Sequence, residues 1–262
     1  MRRTKWPRPN TPPRASAPRT TTATRARRHW AGGRARRGDV LRVKVVSLGA
    51  ERAGKSCLIK RYCEDRFSEK YKGTIGVDYG VKPLRLGGAE VRVNLFDLAG
   101  GDAFKTVRME FYKDAQGLLL VYDAGDRASF EALERWVGEA REGGAAGGAP
   151  VVVVGNKAEL LAAAVPANEG RAWAEGQGWA FFEASAATGE GVRAAFATLF
   201  LQMLEFAPGV PDRVIAAASA SVLQEGEVGR ARGGWGPTAG APVGMGGGGR
   251  RPSLLKPDAR AY

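Results

Sequence analysis

SLGAERAGKSC, residues 47–57, contains the spacing Gly-x-x-x-x-Gly-Lys-Ser, which runs from Gly49 to Ser56. The alternating segment LRVKVVSLG before it predicts a β-strand, and KSCLIKRYCEDRF after it predicts a helix. A glycine-rich loop between a strand and a helix lets backbone N–H groups approach phosphate oxygens, and the N-terminus of the helix favours an anion. The stretch therefore predicts a phosphate-binding loop. The alternative is a glycine-rich turn that carries a solvated lysine.

Nine consecutive residues of this loop are candidates for contact with a bound nucleotide. They are Gly49, Ala50, Glu51, Arg52, Ala53, Gly54, Lys55, Ser56 and Cys57. We expect Lys55 to reach the β- and γ-phosphates and the Ser56 hydroxyl to bind Mg²⁺. Glu51 and Arg52 stand where such loops often carry small residues, which raises the question of whether the site works.

The positive charge is concentrated at one end of the chain. The 262 residues have a formal net charge of +13, and residues 1–39 contain twelve Lys or Arg and a single acid, Asp39. This segment is rich in Arg and Pro and poor in aliphatic side chains, so we expect it to be disordered. A transit peptide and a segment that binds RNA or anionic lipid are the alternatives.

Strand and helix patterns alternate between residues 40 and 207. The runs GLLLVYDA (117–124) and PVVVVGNK (150–157) predict central strands, and two further strands are expected on either side of the Gly87-Gly88 turn. A last strand is expected over 179–185, and helices over 128–141, 168–176 and 192–206. The order favours a three-layer α/β domain over 40–207. Residues 208–262 are Gly-rich and predict a flexible tail, with a short helix near 214–224 as the alternative.

Three more loops follow predicted strands and carry polar residues. FDLAG brings Asp97 and Gly100, and GNKAE brings Asn156, Lys157 and Glu159. EASAA brings the candidate binding residues Ser185, Ala186 and Ala187. Ligands of open α/β sheets bind at the carboxyl ends of the strands, so these loops and the phosphate loop are expected to share one site.

These motifs together resemble those of a Ras-superfamily small GTPase, closest to the Rab branch. YKGTIGVDYG (71–80) is similar to a Rab-type switch I, and FYKDAQGLLLVYD (111–123) is similar to the segment after switch II. KSCLIKRYCEDRF, TIGVDYG and GEGV resemble more narrowly the RJL family, Rab-like GTPases that usually carry a C-terminal J domain. The resemblance covers about 41–206. It implies an α/β P-loop G domain whose six-stranded, mostly parallel sheet has one antiparallel strand and helices on both faces.

The resemblance implies GTP or GDP as ligand and Mg²⁺ as cofactor. Ser56, Thr74 and Asp97 would hold the metal, the last through a water, and Lys55, Thr74 and Gly100 would act in catalysis. At the base, Phe67 would stack beside guanine, Asn156 and Glu159 would read it, Lys157 would pack over the ring, and the Ala186 amide would meet the guanine oxygen. The alternatives are a core aromatic at Phe67 and a solvated hydroxyl at Thr74.

Three positions depart from the family pattern. Glu159 replaces the usual Asp, which moves the carboxylate and is expected to weaken guanine recognition. Gly101 replaces the Gln that orients the attacking water, so slow hydrolysis is expected, as in the RJL family. Glu51 would disturb the γ-phosphate or a partner's arginine, with Arg52 offsetting its charge or, alternatively, acting as an arginine finger in cis.

The resemblance implies a molecular switch that binds effectors through switch I and switch II. The expected effector face is apolar and is drawn from Ile75, Val77, Phe104, Phe111 and Tyr112, some of which must be core. The alternative functions are a non-cycling pseudo-GTPase scaffold and, less directly, an RNA-binding protein. A monomer is expected, nucleic-acid binding by the whole protein is not, and the sequence does not identify an exchange factor or activating protein.

Cysteine and histidine content bears on anchoring and location. Cys57 and Cys63 lie six apart in one predicted helix, where they cannot pair. No Cys follows Cys63, so a prenyl anchor is not expected, and a J-domain His-Pro-Asp motif is excluded because the only histidine is His29. The absence of a disulfide framework and of a long apolar run favours the cytoplasm, with the nucleus as the alternative.

Overall fold

Six strands form one sheet in the computed structural model, which describes residues 40–145, 148–160, 163–207 and 209–220. The strands are β1 (Val40–Leu48), β2 (Val77–Leu86), β3 (Ala89–Leu98), β4 (Gly117–Asp123), β5 (Val151–Asn156) and β6 (Ala180–Ala184). Their order is β2-β3-β1-β4-β5-β6, and β2 alone runs antiparallel to its neighbour. The predicted fold class is confirmed.

Helices cover both faces of the sheet. They are α1 (Lys55–Glu64), α2 (Lys105–Tyr112), α3 (Arg127–Glu131), α4 (Leu133–Glu142), α5 (Ala167–Gln177), α6 (Val192–Phe206) and α7 (212–220), with a 3₁₀ turn at Asp102–Phe104. The helix predicted over 128–141 is two helices, because the chain tightens at Ala132, whose N–H is shared between the carbonyls of Ala128 and Phe130. Helix α2 was not predicted, because its buried residues are Arg108 and Tyr112, so no aliphatic side chain marks its buried face.

Two apolar cores lie on opposite faces of the sheet. One packs α1 and α6 against strand residues such as Val43 and Val154, and the other packs α3, α4 and α5 against residues such as Val46 and Val153. Strands β4 and β5 are buried almost throughout, which explains their continuous apolar runs. Apolar packing therefore covers both faces of the central strands. The carboxyl ends of the parallel strands are not covered in this way and can form a site.

The β2–β3 hairpin turns at the predicted glycine pair. Gly87 and Gly88 have φ angles of 55° and 79°. A two-residue hairpin loop in a type I′ turn requires a positive φ at both positions. A Cβ on Gly87 would lie 2.4 Å from the Arg213 carbonyl oxygen, and the Arg213 side chain donates to the Gly87 carbonyl. Helix α7 thus packs closely against this turn.

The segment 209–220 belongs to the packed body, although the sequence placed it in a tail. Val210, Val214 and Ala218 are buried in the same core as α1 and α6. The predicted disordered segment 1–39 and the remainder of the predicted tail, 221–262, lie outside the described residues.

The described part of the chain has no helix that is both long and apolar enough to cross a membrane. Cys57 and Cys63 are both free thiols in α1, as their spacing predicted. Burial raises the pKa of each thiol, so neither is activated as a thiolate.

Candidate nucleotide site

A cleft of about 1060 Å³ lies at the carboxyl edge of the sheet. The predicted binding residues that line it are Glu51, Arg52, Gly54, Lys55, Ser56, Cys57, Phe67, Thr74, Gly100, Asn156, Lys157, Glu159, Ala186 and Ala187. Five others do not line it: Gly49, Ala50, Ala53, Asp97 and Ser185. Because Gly49, Ala53, Asp97 and Ser185 are buried, they support the wall from behind. The four predicted loops therefore meet in one place.

The phosphate loop needs its glycines for both conformation and space. Gly49 has a φ of 141°, and a Cβ there would lie 2.0 Å from the carbonyl oxygen of Val121. Gly54 has a φ of 90°, and its Cβ would lie 2.1 Å from the Asn156 side-chain nitrogen. The loop can therefore pass close to β4 and to the β5 loop only because both positions lack a side chain.

Lys55 is buried at the centre of this loop. Its ammonium donates to the carbonyl oxygens of Gly49 and Ala50 at 2.9 and 3.0 Å, and 6% of the residue is exposed. Burial lowers the pKa of Lys55 from 10.5 to about 8, although the nearby Asp97 acts in the opposite direction. A phosphate in the cleft would place a negative charge beside Lys55 and so favour its charged form.

Phosphate binding at alkaline pH should therefore take up a proton. In the empty cleft Lys55 loses its proton as the pH rises through about 8, whereas a bound phosphate favours the charged form. Nucleotide affinity is expected to fall as the pH rises above 8, by up to about tenfold per unit. Calorimetry of GDP binding at pH 8.5 in two buffers of different ionisation enthalpy measures this uptake. Equal heats in the two buffers would contradict it.

Three oxygen-bearing side chains meet next to Lys55. Ser56 Oγ donates to Asp97 Oδ2 at 2.5 Å, and the Thr74 hydroxyl lies 3.1 Å from Ser56 Oγ and 3.4 Å from Asp97 Oδ2. Ser47 donates to the other oxygen of Asp97 at 2.9 Å. Thr74 is half-buried in this cluster, so it is not a solvated loop hydroxyl.

The donor set of this cluster fits Mg²⁺. Hydroxyl and carboxylate oxygens are the ligands that this small, hard cation prefers. Burial raises the pKa of Asp97, with its hydrogen bonds to Ser56 and Ser47 and the charge of Lys55 opposing the shift. A divalent cation would offset the cost of this buried carboxylate.

Asn156 connects the loops on the side of the cleft assigned to the base. Its side-chain nitrogen donates to the Ala53 carbonyl at 2.9 Å, and its oxygen accepts from the Ala186 amide at 3.2 Å. Lys157 forms an ion pair with Asp123 at 2.6 Å, which holds its ammonium at the carboxyl end of β4. Glu159 is exposed on the rim, and Phe67 is 40% exposed, so Phe67 is not a core aromatic.

Arg61 supports this side of the cleft, and the sequence did not single it out. From α1 it donates to the carbonyl oxygens of Ala186 and Ala187 at 2.9 and 2.7 Å. It also pairs with Asp65 one helical turn later. A lone arginine in a helix gives no sequence signal for a contact 125 residues away.

The Glu51 side chain touches switch I. Tyr71 donates to Glu51 at 2.8 Å, and the Arg52 guanidinium lies over the Tyr71 ring, 5.0 Å from its centre. Burial and this hydrogen bond raise the pKa of Tyr71, so the phenol stays protonated and remains the donor. The two unusual loop residues therefore contact the segment that would close over a nucleotide.

Gly100 and Gly101 differ in the space around them. A Cβ on Gly100 would lie 2.3 Å from the Glu51 amide nitrogen, so this point of the chain rests directly on the phosphate loop. A Cβ on Gly101 would meet only the Phe104 ring at 3.6 Å and Glu51 Oε2 at 4.0 Å. A side chain at 101 is therefore sterically possible.

The expected effector face divides into exposed and buried residues. Ile75 is 85% exposed, and Val77, Phe104 and Phe111 are half-buried. Tyr112 is fully buried, where it donates to Glu139, so it is one of the core residues that the prediction allowed for and not part of that face. Additional exposed apolar side chains nearby are Tyr79 and Val107.

Comparison with known proteins agrees with this geometry. The family model described as Ras family matches residues 44–205. DnaJ homolog subfamily C member 27 of Mus musculus is 44% identical over 190 residues, which cover 71% of this chain and 70% of that protein. The Homo sapiens protein of that name is 45% identical over 72% of this chain and 71% of its own length, and the Danio rerio protein is 50% identical over 61% and 60%. The predicted resemblance is confirmed, and the chain belongs to the Ras family of small GTPases.

Proposed function

We propose that the protein is a Rab-like switch that binds GTP and GDP with Mg²⁺ and acts in signalling or intracellular trafficking. The observation that carries the proposal is the meeting of Ser56, Thr74 and Asp97 beside the buried ammonium of Lys55. One residue comes from the phosphate loop, one from switch I and one from the end of β3, so a metal–phosphate group there would connect all three elements.

Each residue of the site has a role in this proposal. Lys55 holds the β- and γ-phosphates, and Ser56, Thr74 and Asp97 hold Mg²⁺, which supplies positive charge to the phosphates when bound. Asn156, Lys157 and Glu159 face the base. Thr74 belongs to exposed switch I, so the loss of γ-phosphate would release that segment.

Effector proteins are the proposed partners of the exposed apolar side chains of the switch region. Ile75 and Tyr79 belong to switch I and β2, and Val107 belongs to α2. Their exposure would change with the position of switch I, which makes the effector surface dependent on the nucleotide.

Hydrolysis is proposed to be slow, because Gly101 offers no side chain to orient the attacking water. The test is GTP turnover by the full chain with Mg²⁺, followed over hours. Bound GTP that decays slowly, and faster than in free solution, supports a slow switch. Bound GTP that never decays over the same period identifies the second candidate, a non-cycling scaffold, which the Glu51–Tyr71 contact favours.

Replacing Glu159 with aspartate should tighten guanine recognition. The shorter side chain restores the carboxylate position of the family motif, and a charge-assisted hydrogen bond is worth about 1.5–3 kcal/mol. The GDP dissociation constant is expected to fall about tenfold in Glu159→Asp, whereas that of ADP should not. Titration with both nucleotides checks this, and Glu159→Gln is the matched control, which should not improve GDP binding.

A further inference from the structure

The loop that follows β6 carries the Ala186 amide, which the family resemblance assigns to the guanine oxygen. We call this loop, residues 185–190, the base loop. It closes on itself, because the Ser185 N–H donates to the Glu190 carbonyl at 2.9 Å and the Gly189 N–H donates to the Ser185 carbonyl at 2.8 Å. The turn is therefore compact, but its position relative to the rest of the cleft depends on contacts from outside it.

Asn156 and Arg61 hold the base loop from outside. Asn156, at the end of β5, accepts from the Ala186 N–H at 3.2 Å. Arg61, from α1, donates from Nε to the Ala186 carbonyl at 2.9 Å and from Nη2 to the Ala187 carbonyl at 2.7 Å. Asn156 thus meets an N–H group of the loop, and Arg61 meets its carbonyl groups.

The contacts of Arg61 fix the two peptide groups that follow the Ala186 amide. In a trans peptide the carbonyl and the N–H point in opposite directions. The Ala186 carbonyl points to Arg61, so the Ala187 N–H points away from it. Both alanines line the cleft. Rotation of either peptide plane would shift the N–H groups that the loop presents there, and Arg61 opposes this rotation at two points.

The third nitrogen of Arg61 is held by the end of α1. Nη1 donates to the Asp65 carbonyl at 3.1 Å and to Asp65 Oδ1 at 3.2 Å, and the Asp65 N–H donates to the Arg61 carbonyl at 3.0 Å. The Arg61 side chain is 17% exposed, whereas that of Asp65 is 75% exposed. An ion pair with so exposed a partner contributes little energy. Its role is to orient the guanidinium so that Nε and Nη2 face the base loop.

This set of contacts requires the shape of an arginine as well as its charge. A guanidinium presents N–H groups from three nitrogens in fixed directions, whereas a lysine ammonium is a compact point charge on a flexible stem. A lysine at position 61 would keep the positive charge but would not hold two loop carbonyls and the helix end at once. Arg61→Lys therefore removes the geometry of the contact and leaves its charge.

We propose that Arg61 is a positioning residue for base recognition. By holding the carbonyls of Ala186 and Ala187, it places the Ala186 amide to meet the ring oxygen of guanine and so contributes to the discrimination of guanine from adenine. Adenine carries an amino group in place of that oxygen, so it would set a donor against a donor. Arg61 acts through the loop. This inference rests on the proposed function, since it assumes a guanine nucleotide in the cleft.

Titration of the emptied full chain with three diphosphates in Mg²⁺ tests the proposal. GDP and inosine diphosphate carry the ring oxygen and ADP does not, and inosine diphosphate also lacks the amino group that Glu159 is expected to read. In Arg61→Lys, GDP and inosine diphosphate should both bind about fivefold to tenfold more weakly, and ADP should change by less than about twofold. Equal weakening of all three ligands, or no change in any, would overturn the proposal.

Arg213→Ala is the matched control. Arg213 also donates to the carbonyl of a turn, that of Gly87, but this turn lies at the amino end of β3, on the edge of the sheet opposite the cleft. All three affinities should stay within about twofold of those of the wild type, because a surface substitution away from the site changes little. A loss of guanine selectivity as large as that in Arg61→Lys would mean that selectivity reports general destabilisation, which would contradict the proposal.

Amide hydrogen exchange in the nucleotide-free protein separates this inference from the proposed function. Arg61→Lys should speed exchange in the base loop about tenfold and leave exchange in β5 unchanged. If the wild type binds none of the diphosphates, the proposed function fails, whereas unchanged exchange in the base loop would refute the role of Arg61 itself. If Arg61→Lys does not fold, Arg61→Gln, whose amide still donates to one carbonyl, should show the same selective loss of guanine affinity.

Discussion

Replacing Arg108 with alanine is expected to lower the free energy of unfolding by about 3–5 kcal/mol. Arg108 donates to the buried Glu139 carboxylate from Nε and Nη2, and to the carbonyls of Ala99 and Gly101 from Nη1. The change removes all four hydrogen bonds and leaves Tyr112 as the remaining side-chain donor to Glu139. An uncompensated buried charge is among the few causes of losses this large. Urea denaturation of the full chain, followed by tryptophan fluorescence, measures it, because Trp136 lies against the guanidinium.

The control for this variant is Arg135→Ala, which removes a second arginine that lies over the Trp136 ring. Arg135 forms an ion pair with Asp102, but its side chain is 54% exposed. Its loss should cost no more than about 1 kcal/mol. A comparably small cost for Arg108→Ala would contradict the prediction that the change leaves an uncompensated buried charge on Glu139.

Placing glutamine at position 101 is expected to accelerate GTP hydrolysis by about tenfold to a hundredfold. The gain arises because an amide side chain there can orient the attacking water, which the glycine cannot do. The backbone permits the change: Gly101 has a φ of −72°, and its Cβ would meet only the Phe104 ring and the edge of Glu51. Single-turnover hydrolysis of GTP by Gly101→Gln provides the measurement.

The matched control is Gly101→Ala, which adds a Cβ without an amide. Equal hydrolysis in the two variants would show that the missing glutamine does not limit the rate. Because Glu51 Oε2 would lie 4.0 Å from the new Cβ, the glutamine variant should also be tested together with Glu51→Ala. An acceleration seen only in that background would identify Glu51 as a second obstacle.

Local sequence signals were sufficient for most of the fold, including the glycine-containing turn between β1 and α1. Continuous apolar runs predicted β4 and β5, and the Gly87-Gly88 pair predicted the β2–β3 turn. The helix predicted over 192–206 matches the bounds of α6, a long and largely apolar segment whose buried residues recur at helical spacing. These features depend on residues close together in sequence.

The missed features depend on contacts between distant residues. Arg61 reaches a loop 125 residues away, and Arg108 pairs with Glu139 across 31 residues. Nothing local to an arginine indicates whether it is solvated or buried against a carboxylate. The packing of 209–220 was missed for a similar reason. Its few apolar residues can be recognised as core residues only from their contacts with the distant residues of that core.

The unusual residues of the phosphate loop were predicted only in part. The sequence flagged Glu51 and Arg52 as departures, but it predicted neither the hydrogen bond of Glu51 to Tyr71 nor the stacking of Arg52 on that ring. An arginine finger in cis from Arg52 stays a prediction. What the structure adds is that both side chains contact switch I at the mouth of the cleft.

The most direct measurement is the identity of the nucleotide that the full chain carries after purification, followed by titration of the emptied protein with GDP and ADP in Mg²⁺. The proposed function predicts guanine nucleotide in the extract and GDP binding at micromolar concentration or below, with weaker binding of ADP. No nucleotide in the extract and no GDP binding at such concentrations would mean that Glu51 and Glu159 have disabled the site. The fold would then serve as a scaffold.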